Sequence, residues 1–265
     1  MPELPEVEVV KKSLEREVIK KTIKKVKIYD FNLRYKVNKN EISKINGLRI
    51  LKIERRSKYL IFMLDKGLSM LVHLGMTGKF FIVKKNLLKQ KTSFYYEIDE
   101  KNENKHDRLK FIFKNKTQLI YNDIRKFGFI KFFFTKDIKK NSHLKNLGPE
   151  PLKNNFNFSY FKHYIVGRNR SIKNLLMDQK FVSGLGNIYV NEILFISKIK
   201  PDKKVNSLKD KELKALIKNT KKILKNAIDR GGSSIRDFSS ENGKKGSFQE
   251  HLKVYGRIGL SCSNS

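Results

Sequence analysis

The chain has 265 residues, 59 Lys and Arg against 26 Asp and Glu, and a formal net charge of +33, a length that suits one or two domains and a charge that points to a polyanionic partner, nucleic acid first. At 39% apolar and 11% aromatic residues it is not a disordered basic tail, and both halves carry the surplus, 36 basic against 17 acidic residues in 1–150 and 23 against 9 in 151–265. Stretches free of charged residues, such as 67–78, run to about a dozen positions, too short for a membrane helix.

The chain opens Met-Pro-Glu-Leu-Pro-Glu, acidic and Pro-containing, unlike a secretory signal. Residues 6–20 are predicted as a helix, with Val7, Val10, Leu14 and Val18 on one face. From about 22 to 135 the pattern becomes short β-rich runs, at 22–29, 49–57, 59–64, 69–73, 79–83, 93–98, 109–113, 118–121 and 129–134. Many alternate apolar and polar residues, which predicts a β-sandwich or barrel. Residues 84–91 and 100–105 read as polar loops, and 136–152 as a linker ending Leu147-Gly-Pro-Glu-Pro151. Beyond it the period is helical. Ser171 is positioned to cap a helix through Lys180, Asn187 one to about Ser197, and Ser207 a third. That third helix carries Leu213, Leu216, Ile217, Leu224 and Ile228 on one stripe, with Gly231 past its end. A Gly/Ser loop spans 231–246, and 248–255 is the last apolar segment. Cys262 is the single cysteine, so neither an internal disulfide nor a complete zinc site is expected, in keeping with a reducing, cytoplasmic setting.

Pro2 carries the first chemical signal. Removal of Met1 would leave a secondary α-amine, a type of group that titrates near 7.7–8.0 rather than about 10.4, so much more of it is neutral and nucleophilic near pH 7 than of a lysine. Condensed at a sugar C1′ it gives an iminium, cationic without taking up a proton. Glu3 and Glu6 lie beside it, and a carboxyl at Glu3 could protonate a ring oxygen or a leaving base. The bland alternative is a Pro and Glu opening a helix.

A series of blocks then resembles one family in order. They are Met-Pro-Glu-Leu-Pro-Glu-Val-Glu, Arg-Arg-Ser-Lys58-Tyr-Leu, His73-Leu-Gly-Met-Thr-Gly78, Lys105-His-Asp107, Tyr121-Asn-Asp-Ile-Arg-Lys-Phe-Gly128 and Leu147-Gly-Pro-Glu-Pro151. Ile172-Lys-Asn-Leu-Leu-Met-Asp-Gln, Gly184-Leu-Gly-Asn-Ile-Tyr189, Gly231-Gly-Ser-Ser-Ile-Arg-Asp-Phe238 and His251-Leu-Lys-Val-Tyr-Gly-Arg257 follow. Together they resemble formamidopyrimidine-DNA glycosylase, a bacterial base-excision repair enzyme acting on oxidised purines. Leu4 resembles this branch rather than the endonuclease VIII branch, which usually has Gly there.

The resemblance implies an α+β, two-domain fold. It comprises an N-terminal β-sandwich with an N-terminal helix over 1–135, a linker over 136–152, a helix-two-turn-helix DNA-binding domain over 153–245, and a remnant of a zinc-finger region over 246–265. It implies a glycosylase with abasic-site lyase activity. Pro2 is the nucleophile, Glu3 the acid, Glu6 a supporting carboxylate and Lys58 a phosphate-reaching lysine that assists elimination. Extrusion of the base leaves a gap; Met76, Arg125 and Phe127 match the wedge that fills it. His73, His106, Lys126, Arg168, Lys173 and Asn187 match DNA-contacting positions, Lys126 standing where a second Arg is usual. Glu192 matches an acidic position ordering the helical element, and 231–238 a loop over the flipped base.

One departure stands out. The family usually continues after Tyr-Gly-Arg with a four-cysteine zinc finger, and here Cys262 is a lone remnant, so no metal or other cofactor is expected. Damaged double-stranded DNA is the expected partner, with no membrane, for a monomer in the bacterial cytoplasm. Alternative expectations are an endonuclease VIII-like preference for oxidised pyrimidines, or a weakened DNA- or abasic-site-binding protein lacking the finger.

Overall fold

The computed structural model describes residues 1–84, 90–91, 105–233 and 248–262. The strand expected over 93–98, much of the polar loops around it and the Gly/Ser loop from residue 234 onward lie outside the described residues.

Helix α1 (Leu4–Val18) begins two residues before the predicted start, with Pro5 in its first turn. Val7, Val10, Leu14 and Val18 are buried, as their spacing predicts. The next elements are strand β1 (Ile23–Ile28) and the short helix α2 (Lys39–Lys44), which the periodicity did not reveal. Asn38 caps α2, its side chain accepting from the Asn40 and Glu41 amides. The strands β2 (Ile50–Arg56), β3 (Tyr59–Leu64) and β4 (Leu68–His73) follow, then β5 (Gly78–Val83) and β6 (Gln90–Lys91). After these come β7 (Asp107–Phe113), β8 (Gln118–Asp123) and β9 (Phe129–Phe134).

They pair antiparallel into two sheets, ordered β1-β7-β8-β5-β6 and β2-β3-β4-β9. The sheets face each other across a core that includes Ile53, Phe62, Phe80, Phe111 and Tyr121, with α1 packed on it. The sandwich expected from alternation is therefore present. The segment read as a linker does more than connect. Leu144 is buried against Ile61, Leu71 and Phe129 on the outer face of the second sheet.

The C-terminal half is helical: α3 (Phe158–Ile165), α4 (Ile172–Met177), α5 (Asn187–Ile196) and α6 (Asp210–Asp229). Its separate core includes Phe161, Phe181, Tyr189, Leu216 and Leu224. Helix α3 went unpredicted because eight residues leave little periodicity to read. Three boundaries differ from expectation. Ser171 does cap α4, but the helix stops at Met177, because Asp178 turns outward to accept from the Lys180 amide and to pair with Arg170. The cap of α5 is Gly186, and Asn187 is the first helical residue. Ser207 lies in a separate 3-10 turn, Val205–Ser207. Helix α6 starts at Asp210, where the Glu212 carboxylate accepts from the Lys209 amide.

Candidate active site and nucleic-acid interface

Glu3 and Glu6 lie where the two halves meet. Both are buried. Leu4 N–H donates to Gly184 O at 3.0 Å, which pins the start of α1 against the turn before α5. Glu3 Oε1 accepts from the Ile188 amide at 2.9 Å. Glu3 thus supplies from a distance the side-chain cap that Gly186 lacks. It also explains the glycine: a Cβ at Gly186 would overlap the Glu3 carboxyl. Glu3 Oε2 is buried without a hydrogen-bond partner among the described residues.

Burial pushes the Glu3 carboxyl up from 4.5 to about 7; the Lys58 ammonium opposes the rise, Glu6 adds to it, and the Ile188 and Gly186 amides oppose it. Glu3 therefore holds a proton over much of the range up to neutrality. Lys58 occupies the two-residue turn between β2 and β3, where Ser57 takes φ +57°. Its burial pushes the ammonium below its usual range, against the pull of Glu3 and Glu6.

Glu6 accepts four hydrogen bonds. Oε2 accepts from the Glu3 amide at 2.8 Å, and Oε1 from Tyr189 OH at 2.5 Å, Ser233 N–H at 2.9 Å and Ser233 Oγ at 3.0 Å. It therefore ties α1 to α5 and to the residue that leads into the Gly/Ser loop. Tyr189 and Ser233 stood inside motifs noted in the sequence, but no spacing rule links them to Glu6, 183 and 227 residues away.

A second seam lies beside this one. Arg55 bridges Glu8 at 2.6 Å and Glu150 at 2.8 Å, while Arg56 reaches Glu150, Ser183 Oγ and the carbonyls of Leu147 and Gly148. Glu150 also accepts from the Ser57 amide at 2.6 Å. Gln179 links the Gly184 amide, the Leu185 carbonyl and Ser57. Two adjacent arginines at a strand end, with a carboxylate between prolines elsewhere, were the available signal for this network.

His73 ends β4 and stacks on Phe129 with centroids 5.6 Å apart. The Gly75 amide donates to its Nδ1 at 3.0 Å, so the neutral ring carries its proton on Nε2. Burial, with Lys58 and Arg34 nearby, pushes His73 down to about 4. It is thus a neutral donor at physiological pH.

The wedge candidates come together on two turns. Met76 and Phe127 are 42% and 45% exposed, and the Arg125 guanidinium lies 4.7 Å over the Phe127 ring. These are tip positions, and core packing is excluded for both. Lys126 pairs with Asp30 at 2.7 Å, and Arg108 pairs with the same oxygen at 3.0 Å. His106 is partly exposed nearby, 3.4 Å from Arg108.

On the helical half, Asn187 is exposed at the N-terminus of α5, one residue before the amide that binds Glu3. Lys173 lies in the first turn of α4. Arg168 is exposed and lies over the Tyr164 ring at 4.3 Å, held by a bond to the Tyr164 carbonyl. Glu192 orders the last described segment, accepting from the amides of Lys253, Val254 and Tyr255. Cys262 is exposed. One thiolate does not suit a structural zinc, which takes four ligands. Among the described residues no group of three or more His, Cys, Asp or Glu could hold a metal.

Residues 1–130 match the model of the formamidopyrimidine-DNA glycosylase N-terminal domain, and residues 147–239 that of the formamidopyrimidine-DNA glycosylase H2TH domain. The chain belongs to the formamidopyrimidine-DNA glycosylase family. Formamidopyrimidine-DNA glycosylase of Rickettsia bellii is 42% identical over 268 residues, covering 100% of this chain and 93% of the relative. The Rickettsia felis protein is 40% identical, covering 100% and 90%. Among solved structures, Lactococcus lactis Fpg in complex with an abasic site containing DNA matches with TM-score 0.84 and 33% identity, covering 98% of this chain and 90% of that one. A mutant of the same protein with a Fapy-dG containing DNA gives 0.85 and 34%, covering 99% and 91%. Among the described residues no helix is long and apolar enough to cross a membrane.

Proposed function

We propose that the chain is a base-excision repair DNA glycosylase and abasic-site lyase that removes oxidised purines, 8-oxoguanine and formamidopyrimidines, from duplex DNA in the bacterial cytoplasm. One observation carries the chemistry: a buried Glu3 carboxyl raised to about 7 next to Pro2 and opposed by Lys58. Such a group delivers a proton at neutral pH, as base departure requires.

The damaged nucleotide leaves the stack, and Met76, Arg125 and Phe127 occupy the space. With Met1 removed, the Pro2 nitrogen attacks C1′. The glycosidic bond breaks, its electron pair leaves with the base, and the base gains a proton in the Glu3 locality. Opening of the sugar ring gives an iminium between Pro2 and C1′. Loss of the C2′ proton then expels the 3′ phosphate and cuts the strand. Lys58, His73, His106, Lys126, Arg168, Lys173 and Asn187 at the α5 N-terminus hold the flanking phosphates, the last at the positive end of the helix dipole.

Borohydride trapping on a duplex with 8-oxoguanine opposite cytosine tests this reading. The expected result is a covalent adduct that peptide mapping places on the Pro2 nitrogen. An adduct mapped to Lys58, or no adduct from protein shown by mass spectrometry to lack Met1, would overturn it.

A further inference from the structure

The three wedge side chains stand on two separate turns, one preceding β5 and one following β8. We propose that Asp123 and Thr77 form a clasp that locks these turns together, so that Met76, Arg125 and Phe127 enter the base stack as one preformed unit. The proposal rests on the glycosylase reading and adds a positioning role for two residues that the chemistry does not use.

Asp123 is the last residue of β8, paired across the sheet with Gly78, the first of β5. Its side chain is fully buried. One carboxylate oxygen accepts from the Thr77 hydroxyl at 2.5 Å. The other accepts from the Gly128 amide at 2.9 Å and from the Tyr121 hydroxyl at 3.4 Å. Thr77 Oγ1 in turn accepts from the Arg125 amide at 2.9 Å. The chain of donors runs from Arg125 N–H to the Thr77 hydroxyl to the carboxylate, which Gly128 N–H meets from the other side. The Arg125 end of the 125–128 turn is therefore tied to Thr77 of the Met76 turn, and the Gly128 end to Asp123, whose carboxylate Thr77 also holds.

Backbone contact closes the remaining gap. Gly75 takes φ +63°, and a Cβ there would overlap the Phe127 carbonyl group and the Gly128 nitrogen. A Cβ at Gly128 would overlap the Tyr121 hydroxyl. The turns meet main chain to main chain, with no side chain between them to flex. The backbone of Asp123 reaches further: its amide donates to the His106 carbonyl at 3.0 Å, and its carbonyl accepts from Arg108 Nε at 2.9 Å. Arg108 and Lys126 share Asp30. Everything beneath the tips is fixed, while the Met76 and Phe127 side chains project into solvent. A wedge must separate stacked bases, and a tip fixed in advance loses less freedom on insertion than two turns that move independently.

The hydroxyl of Thr77 is needed both as donor and as acceptor, which makes Thr77→Val the informative change and Thr77→Ser its rescue. Single-turnover excision is measured on two duplexes, one with 8-oxoguanine opposite cytosine and one with the same lesion opposite a one-nucleotide gap, where no partner base must be displaced. Thr77→Val and Asp123→Asn are expected to slow excision from the paired duplex about 10-fold, the scale of one lost hydrogen bond. They should leave the gapped duplex within about 2-fold of wild type, and Thr77→Ser should restore the paired rate. Urea unfolding without DNA confirms that each variant folds, and Thr77→Ala replaces Thr77→Val where it does not. Equal slowing on both duplexes would reduce the clasp to general scaffolding and overturn the proposal. So would wild-type rates for both variants. Wild-type protein that excises 8-oxoguanine from neither duplex would overturn the glycosylase reading itself, and the clasp with it.

Discussion

Glu3→Gln separates the proton on Glu3 from the shape of its side chain. The folded protein raises this carboxyl from 4.5 to about 7, a preference for the protonated form of about 3 kcal/mol at 1.36 kcal/mol per pH unit. The folded value lies above the unfolded one, so the associated stability is fully present below about pH 4.5 and is lost as pH rises through about 7. Glutamine stays neutral throughout and keeps a carbonyl oxygen to accept from the Ile188 amide. Relative to wild type, the variant should therefore be of similar stability near pH 4.5 and more stable by about 3 kcal/mol at pH 8.5. Urea unfolding at several pH values measures this difference. Met1 must be in the same state in both proteins, as a cation on the Pro2 nitrogen would draw Glu3 back down. Excision of 8-oxoguanine should fall at the same time by about 10²–10⁴-fold, the usual worth of a general acid. A stability difference that is flat from pH 4.5 to 8.5, or that favours wild type at pH 8.5, would refute the buried-proton account.

Three further outcomes follow from the same geometry. Glu150→Ala removes the carboxylate shared by Arg55, Arg56 and the Ser57 amide; urea unfolding should show a loss of about 3 kcal/mol, and a loss under about 1 would mean the seam is solvated. Gly186→Ala forces a methyl group into the Glu3 carboxyl; excision should drop at least about 10-fold as the acid is displaced, and an unchanged rate would show that the turn before α5 yields freely. Binding to undamaged duplex DNA should weaken steeply and linearly in log–log form with salt, and a nearly flat plot would mean the +33 charge is not spent on phosphates.

The sandwich and the helical half were legible because both rest on local periodicity. The strands are short runs rich in β-branched and aromatic residues, separated by turns, and the α6 stripe repeats at helical spacing. The α5 boundary was misplaced for a non-local reason. Asn187 has the right side chain to cap a helix, but the cap of α5 comes from Glu3 at the other end of the chain, and the position before Asn187 must be glycine to admit it. A cap delivered from 185 residues away leaves no local signal. The Glu6 partners are hidden for the same reason. Family motifs singled out Pro2, Glu3, Glu6 and Lys58, and the fold brings Glu3, Glu6 and Lys58 within electrostatic reach of one another, which spacing alone could not foresee. Motifs also flagged Asp123 and Thr77 without a reason, since their value lies in joining two turns that are 46 residues apart.

The acid on Glu3 is a property of the assembled molecule rather than of the N-terminal half. Its pKa is raised mainly by burial, and its amide donor comes from α5. Glu6 beside it is bound by Tyr189 and Ser233 from the helical half. If the halves parted, water would reach Glu3, and its pKa would fall back toward 4.5. The freed carboxylate would then lack a proton to give at neutral pH. Lys58 would move the opposite way, since its depression also comes from burial. Opening would therefore disarm the acid and restore an ordinary lysine in one step. Beside this acid, Arg56 ties the end of β2 to Glu150 and to Ser183 Oγ, and the Ser57 hydroxyl donates to Gln179. A substitution there should alter the pH dependence of excision as well as stability, because both depend on the same exclusion of water.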